Sequence, residues 1–449
     1  MRTEKKVALL PLIKSRKAKV AVLGLGYVGL ITAVMTAKAG FAVRGVDVSS
    51  SVVANMLRGV PHFKETGLKQ LLRRVLKSKK FEATTSSNDS IPEAHIVIIS
   101  VQTPITADGE PDLTPLLSAV DEVKRLGHFG KLIIIESSVP PGTTRQIIDR
   151  ISIHGPRSQC GRDYWLTHCP ERLSPGLAIK EFSTNPRLIG GIDQESTTLA
   201  LEFYRALTKG SLVVADASAT EIAKLAENTA RDVDIAFANE LAIICENIGV
   251  DVCDVIRLIN THPRVRILSP GPGVGGPCLP KDPYLLIHQT EKQGFNLLIA
   301  RTARYVNARM PYYVVEMTQR AFRKIGRPLT GSKIGVLGVA YKANVSDVRG
   351  SPALEIVEKL LNLGCVLRVY DPFVDERIGS AKVASVEEAA KDADCLMVLT
   401  DHNIFRNMKI LRLAKLMKKP PVIVDARRIV DVEEAKRAGV HYVGLGRRI

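Results

Sequence analysis

The stretch Lys19–Leu30, reading KVAVLGLGYVGL, restricts the fold more than any other part of the chain. A β-branched run leads into Gly24-x-Gly26-x-x-Gly29, and the helical pattern Leu30–Ala39 follows, closed by Gly40. A second apolar run, Phe41–Val46, ends on Asp47, eighteen positions past Gly29. A lone GxGxxG says little, but strand, glycines, helix, strand and terminal acid in that order point to a dinucleotide-binding βαβ unit, with a plain structural βαβ unit as the other reading. The glycines permit the turn and let backbone approach a pyrophosphate at the helix N-terminus, where unpaired N–H groups point outward. Asp47 accepts hydrogen bonds from an adenosine ribose and disfavours a 2′-phosphate, so the pattern predicts NAD rather than NADP.

A chain of 449 residues exceeds one hydrophobic core. Short apolar strands are expected at His95–Val101, Leu132–Ile135, Tyr164–His168 and Ser211–Ala215, with helical patterns such as Pro115–Leu126 between them. That alternation implies a parallel, doubly wound sheet, whose ligands bind outside the carboxyl ends of strands. Gln102-Thr103-Pro104, the run Glu136–Thr143 (ESSVPPGT) and Cys169-Pro170-Glu171-Arg172 follow strands at that edge. Simple turn chemistry is the other reading of the first two. Ala219–Gly249 is one long helical pattern on which Lys224, Asn228 and Arg231 share a face. A solvated charge stripe is the commoner meaning of such a face. A second long helix is expected over Asn296–Ile325, with a kink at Pro311.

From Gly331 the strand-and-helix alternation returns, at Lys333–Ala340, Cys365–Tyr370, Cys395–Leu399, Pro421–Asp425 and Val440–Gly444, without the full glycine fingerprint. Tyr341–Arg349 follows the first of these strands at the ligand-facing edge. The fold class is therefore α/β: two doubly wound Rossmann-like domains joined by a central long-helix region. The expected division is 1–215 (with 1–18 as an extra arm), 216–328 and 329–449.

Between the two long helices lies Ser269–Pro283, with four glycines and five prolines in fifteen residues, a composition that fits neither helix nor strand. At its centre is Cys278, followed by Lys281 and Asp282. Most cysteines are small buried hydrophobes. The Gly/Pro cage and the nearby cation shift this one toward thiolate chemistry.

A net charge of +17 favours anionic ligands, but the basic residues are spread along the chain and aromatics make up only 5%, so a nucleic-acid groove is not expected. A dinucleotide or a phosphorylated small molecule accounts for the balance. No apolar run reaches membrane-span length, which argues against a membrane partner. Seven cysteines without paired spacing suggest a reducing, cytoplasmic compartment, and no CxxC or His/Cys cluster suggests a metal.

Taken together, LGLGYVGL, ESSVPPGTT, CPER, the Lys-x-x-x-Asn helix, GVGGPCLPKD and YKANVSDVRGSP resemble, in order and over nearly the whole chain after Lys19, the UDP-glucose/GDP-mannose dehydrogenase family. CPERLSPG, EIAKLAENTARDVDIAFANEL and Thr261-His262-Pro263-Arg264-Val265 are most similar to its branch acting on UDP-N-acetyl-D-mannosamine. Pro277 and Lys281 depart from that branch, and CLPKD at 278–282 resembles the UDP-glucose one. The resemblance implies oxidation of a UDP-sugar C6 alcohol to a carboxylate with two NAD⁺ per turnover. Cys278 would form a thiohemiacetal and then a thioester. Lys224 and Asn228 would stabilise the oxyanions, Asp282 would orient water or Lys224, and Glu171 would serve as acid/base in thioester hydrolysis. Arg172, Leu173, Lys224, Asn228, Arg231, His262, Arg264, Gly275, Tyr341, Lys342 and Arg427 match sugar-nucleotide contacts, Arg264 reaching in from a neighbouring subunit of a homodimer or larger homo-oligomer. Gly24, Gly26, Tyr27, Val28, Gly29, Asp47, Thr103, Ser138 and Arg349 match NAD contacts. The same reaction on UDP-glucose or UDP-N-acetylglucosamine, a two-electron hydroxyacid-type dehydrogenase and a non-enzymatic nucleotide-sugar sensor are the alternatives.

Overall fold

The structure is a computed structural model that describes residues 9–152, 158–379 and 381–447. Its contacts divide the chain into two units. One holds the chain up to Glu227 together with Tyr284–Phe295; the other holds Asn228–Pro283 and the chain from Asn296 on.

The first unit is built on eight strands: β1 Lys19–Leu23, β2 Ala42–Val46, β3 Phe81–Thr84, β4 Ile96–Ile99, β5 Leu132–Ile135, β6 Trp165–His168, β7 Arg187–Gly191 and β8 Leu212–Asp216. Their order is β3-β2-β1-β4-β5-β6-β7-β8. Every residue of β4 and β5 is buried, as expected of strands covered by helices on both faces. The order reverses beside β1, which makes the carboxyl end of β1 a topological switch point.

The expectation of a parallel sheet needs one correction: β6 and β7 pair antiparallel. The sequence reading did not foresee β3 or β7. β3 is a four-residue edge strand. β7 ends in Gly190-Gly191, residues of low strand propensity, because side chains there would strike Thr220 and Thr197. Ahead of β1, the described part of the expected arm is a helix, Leu9–Lys14, whose Leu9 and Ile13 are buried in the first core. Residues 1–8 lie outside the described residues.

The second unit carries β9 Lys333–Leu337, β10 Val366–Tyr370, β11 Ala381–Lys382, β12 Cys395–Val398, β13 Val422–Asp425 and β14 His441–Gly444. All are parallel, in the order β11-β10-β9-β12-β13-β14. β9 therefore occupies the place that β1 holds in the first sheet. The helix Leu298–Lys324 continues through Pro311 and buries Met310, Val314 and Phe322 in the second unit's core. Ala242 and Cys245, from the helix Ala217–Ile248, join that core. Among the described residues, no helix is long and apolar enough to cross a membrane.

Candidate active site

In the first unit the glycine turn leads from β1 into the helix Tyr27–Lys38. Gly24 has φ +90°, and a Cβ on Gly29 would lie 1.9 Å from the Gly24 oxygen, so neither position tolerates a side chain. A Cβ on Gly26 would meet nothing within 4 Å; the space above the helix N-terminus is open. Gly26 caps that helix without a side-chain hydrogen bond, leaving first-turn N–H groups for an anion. Asp47 takes Leu25 N–H on one oxygen (2.8 Å) and Ser49 N–H on the other (2.9 Å). The carboxylate is thus aimed by the loop and keeps acceptor capacity for ribose hydroxyls. These residues fit NAD. Tyr27 donates to Glu65 (2.6 Å), which also accepts Gly176 N–H and Ala178 N–H, so one carboxylate ties the glycine turn to the segment after Arg172. Val28 lies in the first turn of the same helix. Thr103 Oγ1 donates to the Ser138 carbonyl (2.7 Å), joining the two strand-end motifs.

Glu171 is buried, with Arg187 on one oxygen and Arg172 N–H on the other (3.1 Å). Arg187 also reaches Glu136 (3.4 Å). The Arg172 guanidinium pairs with Glu227, and Leu173 packs on the first core. Buried Glu221 stands one turn before Lys224. It accepts Gly142 N–H (2.6 Å), Thr144 N–H (2.7 Å) and the Thr144 hydroxyl (2.5 Å). This locks the start of the Lys224 helix to the ESSVPPG turn. His168 bonds to Thr220 and the Ser137 carbonyl; burial, with help from the Lys224 charge, pushes its pKa down to about 3, so it stays neutral.

In the second unit Cys278 and Cys253 are exposed, whereas Cys245, Cys365 and Cys395 are buried with thiols pushed up by burial. The Cys278 carbonyl accepts Lys281 N–H (3.0 Å) and Asp282 N–H (2.8 Å), a tight turn that folds the lysine and aspartate back under the thiol's own backbone. Asp282 is fully buried; it accepts from Asn228 Nδ2 (2.6 Å) and pairs with Lys281 (2.7 Å). Upstream, Gly276 has φ +94° and donates to the Arg349 carbonyl (2.9 Å). A Cβ on Gly275 would lie 2.6 Å from the Gly350 oxygen and 2.8 Å from Tyr341 Cβ. The loop therefore lies directly on the segment after β9, and only glycine allows that approach.

The loop is anchored from beneath as well. Gly271 N–H donates to Asn239 Oδ1 (2.9 Å), and Asn239 Nδ2 donates to Asn307 Oδ1 (2.9 Å). Asn307 in turn donates to Asp232 (2.9 Å), which pairs with Arg304 (2.6 Å). Tyr341 sits against the loop; burial, then the charges of Asp347 and Cys278, push its pKa up to about 12. Arg349, whose pKa its hydrogen-bonded partner Asp347 raises, and Arg231 both act electrostatically on Tyr341. Lys342 follows Tyr341, half-buried. Arg427 donates to the Leu399 carbonyl (2.9 Å), and burial holds its guanidinium below the ordinary value. His262 and Arg264 lie on the exposed loop 260–266, whose ends Asn260 staples by two hydrogen bonds to Ile267.

The structure thus brings Asn228, Asp282, Lys281 and Cys278 into one cluster, and Gly275, Tyr341 and Arg349 into its neighbourhood. It groups Gly24, Gly26, Gly29 and Asp47 around an open helix terminus, with Lys224 and Glu171 in the same unit. Sequence reasoning did not single out Glu136, Arg187, Glu65 or Asn239. Glu136 lay within a motif at a strand end and Asn239 within the quoted 221–241 helix stretch, whereas Arg187 carried no local signal.

An open dinucleotide cradle and a turn-mounted thiol make this a dehydrogenase of the NAD-dependent class that also carries a candidate covalent nucleophile. The chain belongs to the UDP-glucose/GDP-mannose dehydrogenase family: residues 18–208 match its NAD binding domain, 218–309 its central domain and 335–432 its UDP binding domain. A UDP-N-acetyl-D-mannosamine dehydrogenase of Pyrococcus horikoshii is 40% identical over 430 residues, covering 96% of this chain and 99% of the relative. The solved structure of a UDP-D-ManNAc dehydrogenase from that organism superposes with a TM-score of 0.89 at 38% identity, covering 96% of this chain and 99% of its own. An NDP-N-acetyl-D-galactosaminuronic acid dehydrogenase of Methanosarcina mazei superposes with a TM-score of 0.83 at 33% identity, covering 98% of each chain.

Proposed function

We propose that the chain oxidises the C6 alcohol of a UDP-sugar, UDP-N-acetyl-D-mannosamine first among them, to the UDP-uronic acid in two two-electron steps. The observation that carries this reading is Cys278, exposed at a glycine/proline turn whose own backbone seats Lys281 and Asp282. A simple alcohol dehydrogenase has no use for such a thiol. The 40% identity to a UDP-N-acetyl-D-mannosamine dehydrogenase supports the choice of sugar.

Bound NAD⁺ supplies the hydride acceptor for each oxidation, held by Gly24, Gly26, Tyr27, Val28, Gly29, Asp47, Thr103, Ser138 and Arg349. Cys278 adds to the aldehyde and keeps it from escaping; loss of the second hydride leaves a thioester. Lys224 and Asn228 stabilise charge developing on the sugar oxygen. Asp282 fixes Asn228 and Lys281 through its two oxygens. Glu171 takes a proton from the water that adds to the thioester, and the thiolate leaves. Arg172, Leu173, Arg231, His262, Gly275, Tyr341, Lys342 and Arg427 contact the sugar nucleotide, with Arg264 supplied by a neighbouring copy in a homodimer or larger homo-oligomer. A cytoplasmic setting belongs to the same reading, supported by seven cysteines without paired spacing.

The test is to count NADH per sugar with UDP-ManNAc, UDP-GlcNAc and UDP-glucose side by side. Two NADH per UDP-ManNAc is the expected result. One NADH per sugar would refute the thioester route, no NADH with ligand binding intact would make the chain a sensor, and a preference for UDP-glucose would follow the Lys281 signal instead.

A further inference from the structure

A buried cluster in the first unit joins two carboxylates to one cation. Arg187 leaves β7 between the rings of Phe182 (4.6 Å) and Tyr204 (4.5 Å) and is almost wholly buried. One arm of its guanidinium meets Glu171 and the other Glu136 (3.4 Å). Glu136, at the end of β5, also accepts from the Tyr204 hydroxyl (2.8 Å) and from Thr32 Oγ1 (2.8 Å), which stands on the helix behind the glycine turn. The buried Cys169 thiol, after β6, completes the ionisable groups facing it.

We propose that Arg187 and Glu136 are positioning residues that set the orientation of Glu171 and its freedom to meet water, and with them how the rate of thioester hydrolysis varies with pH. The inference rests on the role given to Glu171 above. One guanidinium cannot match two buried anions, so the second carboxylate holds its proton more tightly. Glu136 is that second carboxylate: burial raises it to about 7, against the pull of Arg187 and with the push of Glu171. Below that pH Glu136 is neutral and Arg187 is held by Glu171 alone. Above it, ionised Glu136 competes for Arg187 and draws the guanidinium away, freeing the Glu171 carboxylate to meet water. No covalent change occurs at Glu136; only its proton leaves for solvent.

The experiment follows thioester breakdown in single turnovers of the full-length enzyme by acid quench, from pH 5.5 to 9. The wild-type rate should rise about threefold or more through a midpoint near pH 7. Glu136→Gln keeps the shape but cannot ionise; the rise should vanish, with KM for the UDP-sugar within about twofold of wild type. Tyr204→Phe removes a donor to ionised Glu136 and keeps the ring under Arg187; the midpoint should move up by about half a pH unit or more. A purely structural role would lower rate and melting temperature at every pH and leave the midpoint in place, overturning the proposal. If Glu136→Gln does not fold, Tyr204→Phe alone carries the test. Infrared titration of the wild type adds a readout independent of turnover: a buried protonated-carboxyl band that fades near pH 7 supports the relay, and its absence overturns it. Failure to oxidise any UDP-sugar, with that band present, would sink the functional reading and leave the coupled pair standing.

Discussion

Replacing Asn239 by alanine tests whether the polar chain beneath the cysteine loop holds the loop in place. Asn239 is fully buried and spends both ends of its amide: Oδ1 on Gly271 N–H and Nδ2 on Asn307 Oδ1. Alanine leaves one buried donor and one buried acceptor unpaired. Each such group costs about 1–3 kcal/mol, so the loss should be roughly 2–6 kcal/mol before any relaxation. For a unit of this size that is a fall in melting temperature on the order of 10 °C, read by calorimetry. Gly271 lies seven residues before Cys278, and the next fixed backbone contact is Gly276 on Arg349. Freed at Gly271, the loop should present the thiol less uniformly, and kcat should fall about tenfold, more than KM changes, because positioning contributes mainly to the reacting geometry. A melting temperature within about 2 °C of wild type, together with unchanged kcat, would refute the reasoning.

Cys278→Ser should abolish steady formation of the uronic acid, by about a hundredfold or more, while UDP-sugar binding by calorimetric titration stays near wild type; near-normal turnover would return Cys278 to a structural role. Asp371 provides a pH test. His402 donates to it, and burial is outweighed by that bond, the His402 charge and the Val339 and Phe373 N–H groups, taking its pKa from 3.8 to about 2. A depressed carboxylate stabilises the fold above its unfolded pKa and loses that contribution as pH falls. The drop corresponds to about 2.5 kcal/mol, fully present above pH 3.8 and gone below about 2. Asp371→Asn should therefore lower stability at pH 7 by about that amount and flatten the acid limb of a denaturation series; equal acid limbs in the two proteins would contradict it.

The parts of this chain that sequence reasoning reached are those where backbone chemistry and local order coincide. Gly24 to Asp47 is legible because every constraint on the cradle falls within one βαβ unit. The Cys278 turn is legible because close approach to Tyr341 and Gly350 demands glycine, and glycine is visible in a sequence. Arg187 was not legible. Its partners Glu171, Glu136 and Tyr204 come from three different elements, and nothing local marks an arginine headed for the interior. Asn239 was hidden in the same way, inside a long helix whose pattern announces only its apolar face. β7 escaped because its glycines, required by Thr220 and Thr197, lower its strand propensity. The antiparallel turn at β6 and β7 left no trace in the alternation of elements.

The two sheets carry matching acids, Asp47 after β2 and Asp371 after β10, but their occupancy differs. Asp371 already receives Val339, Ala340, Phe373 and Val374 N–H groups and His402. That fills the four or so acceptor positions a carboxylate offers. Among the described residues Asp47 receives Leu25 and Ser49 N–H alone. Among the described residues Asp47 is thus the matching acid with room for a dinucleotide's ribose, and on the proposed mechanism both oxidations draw on it in succession. The reduced cofactor has to depart and a fresh one arrive while the half-oxidised sugar waits. If Cys278 acts as proposed, the lifetime of its adduct is then a timing requirement: it must outlast one exchange of cofactor, and an adduct that reverses faster than NADH dissociates would release aldehyde in place of acid.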